Sequence, residues 1–387
     1  MSIYAQRAIE DAQHYGQALL KFISANDLGL TNSHQSGFYL PKEAWALFTT
    51  QAPVRGVNHN HMVRIIWPDG EITNSCVKWY GVGTRSEYRL TRFGRDFNWR
   101  QPEFIGSLLV IIPEDINNFR AYILDTDDEI DDIQISLGVE IVEGWALFPQ
   151  IDQEAEFDQD VCINNWFRVW VEEITILPTV SEFSDYTRET LIHCIQNYQT
   201  KMCDDKLLLL IENEYRLYKI AERKVKQAEI NRLFRDIDDF LRTANSILQS
   251  RKSRAGKSFE NQVTSLLEEN GVIFVKQPTV DNTRPDIIIP SVEAYYDDAF
   301  PIERKFAIGL KRTCKDRWRQ VLQEAPRIPI KHLITMQNGI SAMQLNEMNN
   351  SRVKLIVPRY LHNSYPPNRP MVLITLDEFI RIIRNAQ

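Results

Sequence analysis

The apolar residues of this chain change their rhythm along its length, and that change limits the folds open to it. In the first 175 residues they come in short runs, at 63–67, 76–82, 108–112, 121–124 and 166–171, bounded by turns such as Pro68-Asp69-Gly70. Many short strands with few helices predict a barrel-like or sandwich module. An opening helix is expected over 3–24, where Ile9, Ala12, Leu19 and Phe22 recur at helical spacing. Residues 176–184, with Pro178 and Ser181, read as a linker. From 185 to 250 the pattern is helical and charged, as in LLLLIENEYRLYKIAERKVKQAEINRLF, and predicts an amphipathic arm. Residues 251–387 alternate. Helices are expected at 257–270, 314–325, 341–348 and 376–383, with strands at 272–276, 286–289, 302–310, 333–336 and 353–357. That is the pattern of an α/β unit.

Composition narrows the classes. A chain of 387 residues, 43% apolar and 25% charged, suits two or three globular domains and excludes a collagen or a disordered tail. No apolar run approaches the roughly 20 residues needed to cross a bilayer. The opening MSIYAQRAIEDAQ has no apolar signal core, so a cytoplasmic location is expected. Five cysteines, an odd set without C-x-x-C, argue against a disulfide framework or a thiolate zinc site. The net charge of −7 is unevenly spread: 13 acids and no Lys or Arg lie between Asp125 and Asp160, leaving 39 acids against 45 bases elsewhere. The acidic run reads either as a solvated loop and strand edge or as a DNA mimic or repulsive wall closing one DNA path.

No Gly-rich phosphate loop, G-x-S-x-G or H-E-x-x-H occurs, and His59 and His61 lack a third ligand. The informative segment is Arg284-Pro285-Asp286-Ile287-Ile288-Ile289. An Asp opening a β-branched run, followed by a strand bearing Lys, is how many metal-dependent nucleases set their acids. Paired carboxylates gather Mg²⁺ at the scissile phosphate, and a Lys holds the attacking water. Two continuations fit. One uses Glu303 and Lys305. The other uses Lys311, with Gly309 two positions before it, and takes its second acid from Glu324. On a helix, Glu324 would share a face with Arg317. Lys315, Asp316 and Arg317 could supply the bidentate groups that read G·C edges, or merely a salt-bridged helix start.

Three stretches, RKSRAGKSFE (251–260), RPDIIIPSVEAYYDDAFPIE (284–303) and LKRTCKDRWRQVLQEA (310–325), resemble the EcoRII-type restriction endonucleases, as do SANDLGLTNSHQSGFYLP (24–41) and RLTRFGR (89–95). The resemblance implies an N-terminal β pseudobarrel that binds effector DNA (1–175). It also implies a nuclease domain (185–387) with a restriction-endonuclease-like α/β/α core at 251–387. It selects Asp286, Lys311 and Glu324 as catalytic, with Asp286 and Glu324 on Mg²⁺, and Lys315, Asp316 and Arg317 as readers of CC and GG edges. Tyr215 is implied as a wall of a pocket for a flipped central base. His34, Gln35, Arg85, Glu87 and Arg89 are implied as effector contacts, with Tyr88 where a basic residue is usual. The family's Lys-Thr-Thr stands here as Lys311-Arg312-Thr313.

The implied protein is a homodimer acting on double-stranded CCWGG, with a cognate cytosine methyltransferase in the same system. A DNA-binding regulator and a single-strand nicking or repair nuclease are the alternatives. An inhibitory N-terminal domain is expected, so that a fragment starting near Ser181 folds and cuts one-site DNA better than the full chain.

Overall fold

A computed structural model describes residues 2–31, 37–84, 86–94, 97–149 and 158–387, with backbone alone at 158–160. Helix α1 (Ile3–Tyr15) is capped by the Ser2 hydroxyl and closed by Gly16 at φ 73°. Glycine takes that left-handed cap without a Cβ clash. The helix expected over 3–24 therefore stops short, and Leu19 and Phe22 fall in strand β1 (Ala18–Phe22). β1 is buried on both faces, so its apolar run carries no strand alternation to tell it from a helix.

β2 (Phe38–Leu40), β3 (His59–Ile66), β4 (Ile72–Tyr80), β5 (Glu87–Thr91), β6 (Leu108–Pro113) and β7 (Asn118–Leu124) follow. After helix α2 (Asp127–Leu137), strand β8 (Trp145–Phe148) completes one eight-stranded sheet, ordered β2-β5-β4-β3-β7-β6-β1-β8. The two-residue period decides its faces. Leu109 and Ile111 join Phe38, Trp67 and Trp79 inside the curl, whereas Leu108, Val110 and Ile112 pack under α1 and α2. This curled sheet is the expected β pseudobarrel. The acidic run does not begin as loop and strand edge: Thr126 and Glu129 form a capping box and start α2.

Four helices follow: α3 (Asp158–Glu173), α4 (Val180–Cys194), α5 (Cys203–Asn231) and α6 (Ile237–Glu269). Residues 166–171, expected as a strand, lie within α3. Ile163, Phe167 and Val171 recur every four residues and are buried in the C-terminal core. The segment that texture assigned to the first domain thus packs with the second. Nor is 176–184 all linker, because Thr179 and Glu182 form a capping box that starts α4 at Val180. α6 runs unbroken through 250, so no break separates arm from core there. Against the expectation from the cysteine count, Cys162 and Cys194 form a disulfide between α3 and α4, while Cys76, Cys203 and Cys314 are free and buried.

The second sheet contains β9 (Val275–Lys276) and β10 (Ile287–Ile289) and, beyond helix α7 (Val292–Tyr296), β11 (Phe306–Lys311) and β12 (Lys331–Thr335). Helix α8 (Ala342–Asn350), strand β13 (Val353–Ile356) and helix α9 (Leu376–Ala386) end the chain. The order is β13-β12-β11-β10-β9; β11, β12 and β13 are parallel, and β10 is antiparallel to both neighbours. Ile287, Ile289, Ile308 and Leu310 enter the main core with Phe259 and Val263 of α6. Ile288 and Ala307 enter a smaller cluster with Tyr295 and Ile328. Both faces are covered, as an α/β/α core requires.

Two further elements, both near the second sheet, differ from expectation. Pro301 leads a short 3₁₀ turn (Ile302–Arg304), so the strand expected over 302–310 starts only at Phe306. The helix expected over 314–325 is a loop followed by a 3₁₀ turn (Arg317–Gln323). Asp316 stands where a capping side chain belongs, but its carboxylate is taken by the Asp127 N–H of α2. No helix among the described residues is long and apolar enough to cross a membrane.

Candidate active site

Asp286 precedes β10, and the antiparallel register Ile287↔Ile308 sets it across from the end of β11. Its Oδ2 accepts from the Leu310 N–H at 2.6 Å and from Lys311 Nζ at 2.9 Å. Gly309 explains why the acid two positions before Lys311 is absent. A Cβ there would lie 2.5 Å from Val321 Cγ1, because the 3₁₀ turn packs directly onto β11. The same close packing carries Glu324, at the end of that turn, into the field of Asp286 and Lys311. Burial and then the Asp286 charge push the Glu324 carboxyl up to about 7.

Lys331 on β12 donates to the Ala325 and Ile328 carbonyls and so fixes the segment just after Glu324. Burial brings its ammonium down to about 8, although Glu324 opposes the shift. The rival set does not assemble: Lys305 is buried and donates to the Asp297 carbonyl at 2.6 Å, and Glu303 is exposed on its own turn. The shared helical face expected for Arg317 and Glu324 is also absent, since the turn between them is 3₁₀ and they face different partners.

One carboxylate escaped the sequence reading. Glu260, on α6, is raised by burial and then by Asp286, with Lys311 opposing. It ends the stretch RKSRAGKSFE, which was a usable signal, but its distance from Asp286 in sequence hid the pairing. Asp286 acts through its charge on both Glu324 and Glu260, and carboxylate oxygens are the hard donors that divalent cations prefer. Glu324 is raised first by burial and then by the Asp286 charge, and a bound cation would offset both. No group of three or more His, Cys, Asp or Glu close enough to hold a metal forms among the described residues, and His61 instead contacts the Ile116 carbonyl.

The three candidate reading residues are held by α2 and its approach. Lys315 Nζ pairs with Asp125 and also contacts Ser107 Oγ. Asp127 accepts the backbone N–H groups of Lys315, Asp316 and Arg317 at 3.2, 3.0 and 3.1 Å. Arg317 divides its guanidinium between Asp128 at 2.6 Å and Asp131 at 2.8 Å. Burial and the facing Asp127 carboxylate push Asp316 up to about 6.

Tyr215, on α5, is buried and donates to the Gly138 carbonyl just after α2. It lines a cavity of about 270 Å³ between the two halves of the chain, shared with Glu140, Arg254, Lys311 and Arg312. Of the candidate effector contacts, His34, Gln35 and Arg85 lie outside the described residues. Glu87 and Arg89 pair at 3.3 Å, and Arg89 turns inward, its side chain only 3% exposed, to donate to the Gly37 carbonyl. As placed, Arg89 braces the entry to β2 rather than presenting a charge to solvent.

A nuclease-type carboxylate–lysine centre on an α/β/α core, joined to a curled β domain, is the architecture of a type II restriction endonuclease. Residues 12–165 match the model of the EcoRII N-terminal domain, and residues 218–380 match that of the EcoRII C-terminal domain. The chain is 32% identical over 397 aligned positions to the type II restriction enzyme EcoRII of Escherichia coli, covering 98% of this chain and 97% of that one. It belongs to the EcoRII family of type II restriction endonucleases, which are site-specific DNA nucleases.

Among solved structures it is similar to a PspGI–substrate DNA complex (18% identity, TM-score 0.46, covering 54% of this chain and 94% of that chain). It is also similar to metal-depleted Ecl18kI with uncleaved DNA (18% identity, TM-score 0.45, covering 59% and 85%).

Proposed function

We propose that the protein hydrolyses both strands of a short palindromic-type duplex site, CCWGG, leaving 5′-phosphates, with Mg²⁺ as cofactor. The observation that carries this reading is the convergence of Asp286, Lys311 and Glu324 at the end of β11. Asp286 orients Lys311 by a half-buried ion pair, its ammonium free to hold a phosphate oxygen or the attacking water. Asp286 and Glu324 would hold Mg²⁺, with Glu260 alongside. When bound, Mg²⁺ supplies charge neutralisation at the phosphate and lowers the pKa of water. Lys315, Asp316 and Arg317 supply the donors and acceptor that G·C pairs require. Tyr215 lies beside the cavity where an unstacked base would be received.

Two-fold symmetric DNA calls for a two-fold dimer. The turn joining α5 to α6 supports one, because Leu233 is 96% exposed, with Ile237, Phe240 and Leu241 also exposed nearby. The N-terminal domain acts as a cover that effector DNA removes, since the acids of α2 and of the segment leading into it hold all three reading residues.

Plasmid cleavage by point variants tests the assignment. Lys311→Ala should abolish cleavage while Mg²⁺-free site binding survives, and Lys305→Ala should keep substantial activity. A dead Lys305→Ala beside an active Lys311→Ala would overturn the catalytic set.

A further inference from the structure

Glu140, three residues beyond α2, is a buried acid at the interface between the two halves. Two cations from opposite sides meet on its one carboxylate. Arg254 of α6 donates from Nη2 to Oε2 at 2.6 Å, and Arg312, beside the catalytic Lys311, donates from Nη1 to Oε1. Arg254 is sandwiched against the rings of Tyr215 and Tyr218, at 5.1 and 5.0 Å. Its side chain is 5% exposed, yet Nε and Nη1 have no hydrogen-bond partner among the described residues. Glu214 acts on Arg254 through its charge but accepts from Gln262 instead. When Glu140 withdraws, two convergent guanidinium groups lose their shared anion. Leaving such cations uncompensated is strongly unfavourable. Planar guanidinium forks fit a phosphate as they fit a carboxylate.

We infer that Arg254 and Arg312 form a binding site for a backbone phosphodiester of the substrate duplex, and that Glu140 occupies it as a phosphate stand-in while the two halves are closed. The inference rests on the nuclease reading above and deepens it. Position favours a phosphate over a base edge: Arg312 directly follows Lys311 at the end of β11, whereas the reading residues start three positions after Arg312, at Lys315.

The test uses the full chain and kcat/KM on a one-site duplex over a range of salt concentrations. Glu140→Gln should cut faster than the unmodified chain, because the stand-in is weakened. Adding Arg312→Thr to Glu140→Gln removes a phosphate contact in a background where the closed state is already loosened. The double variant should lose about tenfold or more in kcat/KM. Its slope of log kcat/KM against log salt should become shallower by about 0.9. Arg312→Lys in the same background keeps the charge and should restore the slope, which separates charge from folding. If the double variant matches Glu140→Gln in rate and slope, Arg312 only fastens the interface and the phosphate site is overturned. If neither the unmodified chain nor Glu140→Gln cuts any DNA, the nuclease reading itself fails and the site fails with it.

Discussion

Glu324 and Arg317 lie seven residues apart, yet they answer to different partners. Glu324 sits at about 7 because burial and Asp286 disfavour its charge, so below that pH it holds a proton that a divalent cation must displace. The Mg²⁺ concentration for half-maximal cleavage should therefore rise as pH falls, by up to about tenfold per unit well below the pKa. Titrating Mg²⁺ at several pH values checks this, and a flat dependence would remove Glu324 from the metal site. Arg317 faces α2 acids in the closed chain and, in the proposed open state, a guanine. Losing one bidentate Arg–guanine contact costs about 1–3 kcal/mol. Arg317→Ala should thus weaken specific binding roughly 5- to 150-fold, with a smaller effect on unrelated DNA. Equal losses on all sequences, measured by competition binding, would make Arg317 a phosphate contact.

The turn from β11 into residues 317–323 decides how the acids meet. Gly309 lets Val321 approach the strand, and that approach delivers Glu324. Gly309→Ala forces a 2.5 Å contact to relax, and overpacking of this kind costs about 1–3 kcal/mol. The variant should show a lowered Tm and a larger loss of cleavage than of DNA binding. Unchanged cleavage would mean that the turn tolerates displacement.

Sequence legibility also divides at this scale. RPDIII was readable because an apolar β-branched run behind an Asp has a local signature. The run 314–325 suggests an α-helix because Cys314, Trp318, Val321 and Ala325 recur at helical spacing, and all four are indeed buried. Apolar periodicity reports burial, and it could not register that Asp127 had taken the Asp316 carboxylate away from capping. The strand expected at 166–171 lies within α3 for a related reason: so short an apolar run fits a strand or a helix equally well.

In the whole molecule, contacts more than 180 residues apart in sequence tie α2 to the reading segment. No local pattern could have shown them. The acidic run was visible, but whether it met solvent or a cation was not. α3 changes where the molecule can be divided. Ile163, Phe167 and Val171 belong to the C-terminal core, so a fragment starting at Ser181 would lose part of it and the start of α4. A fragment starting at residue 158 keeps that core intact. Rates of cleavage on DNA carrying one or two CCWGG sites, compared between the full chain and this fragment, test the account most directly. The full chain should prefer two-site DNA. The fragment should cut one-site DNA faster than the full chain does, with little preference between the substrates. The same two-site preference in both proteins would contradict the account, because the acids of α2 could not then be what keeps the nuclease closed.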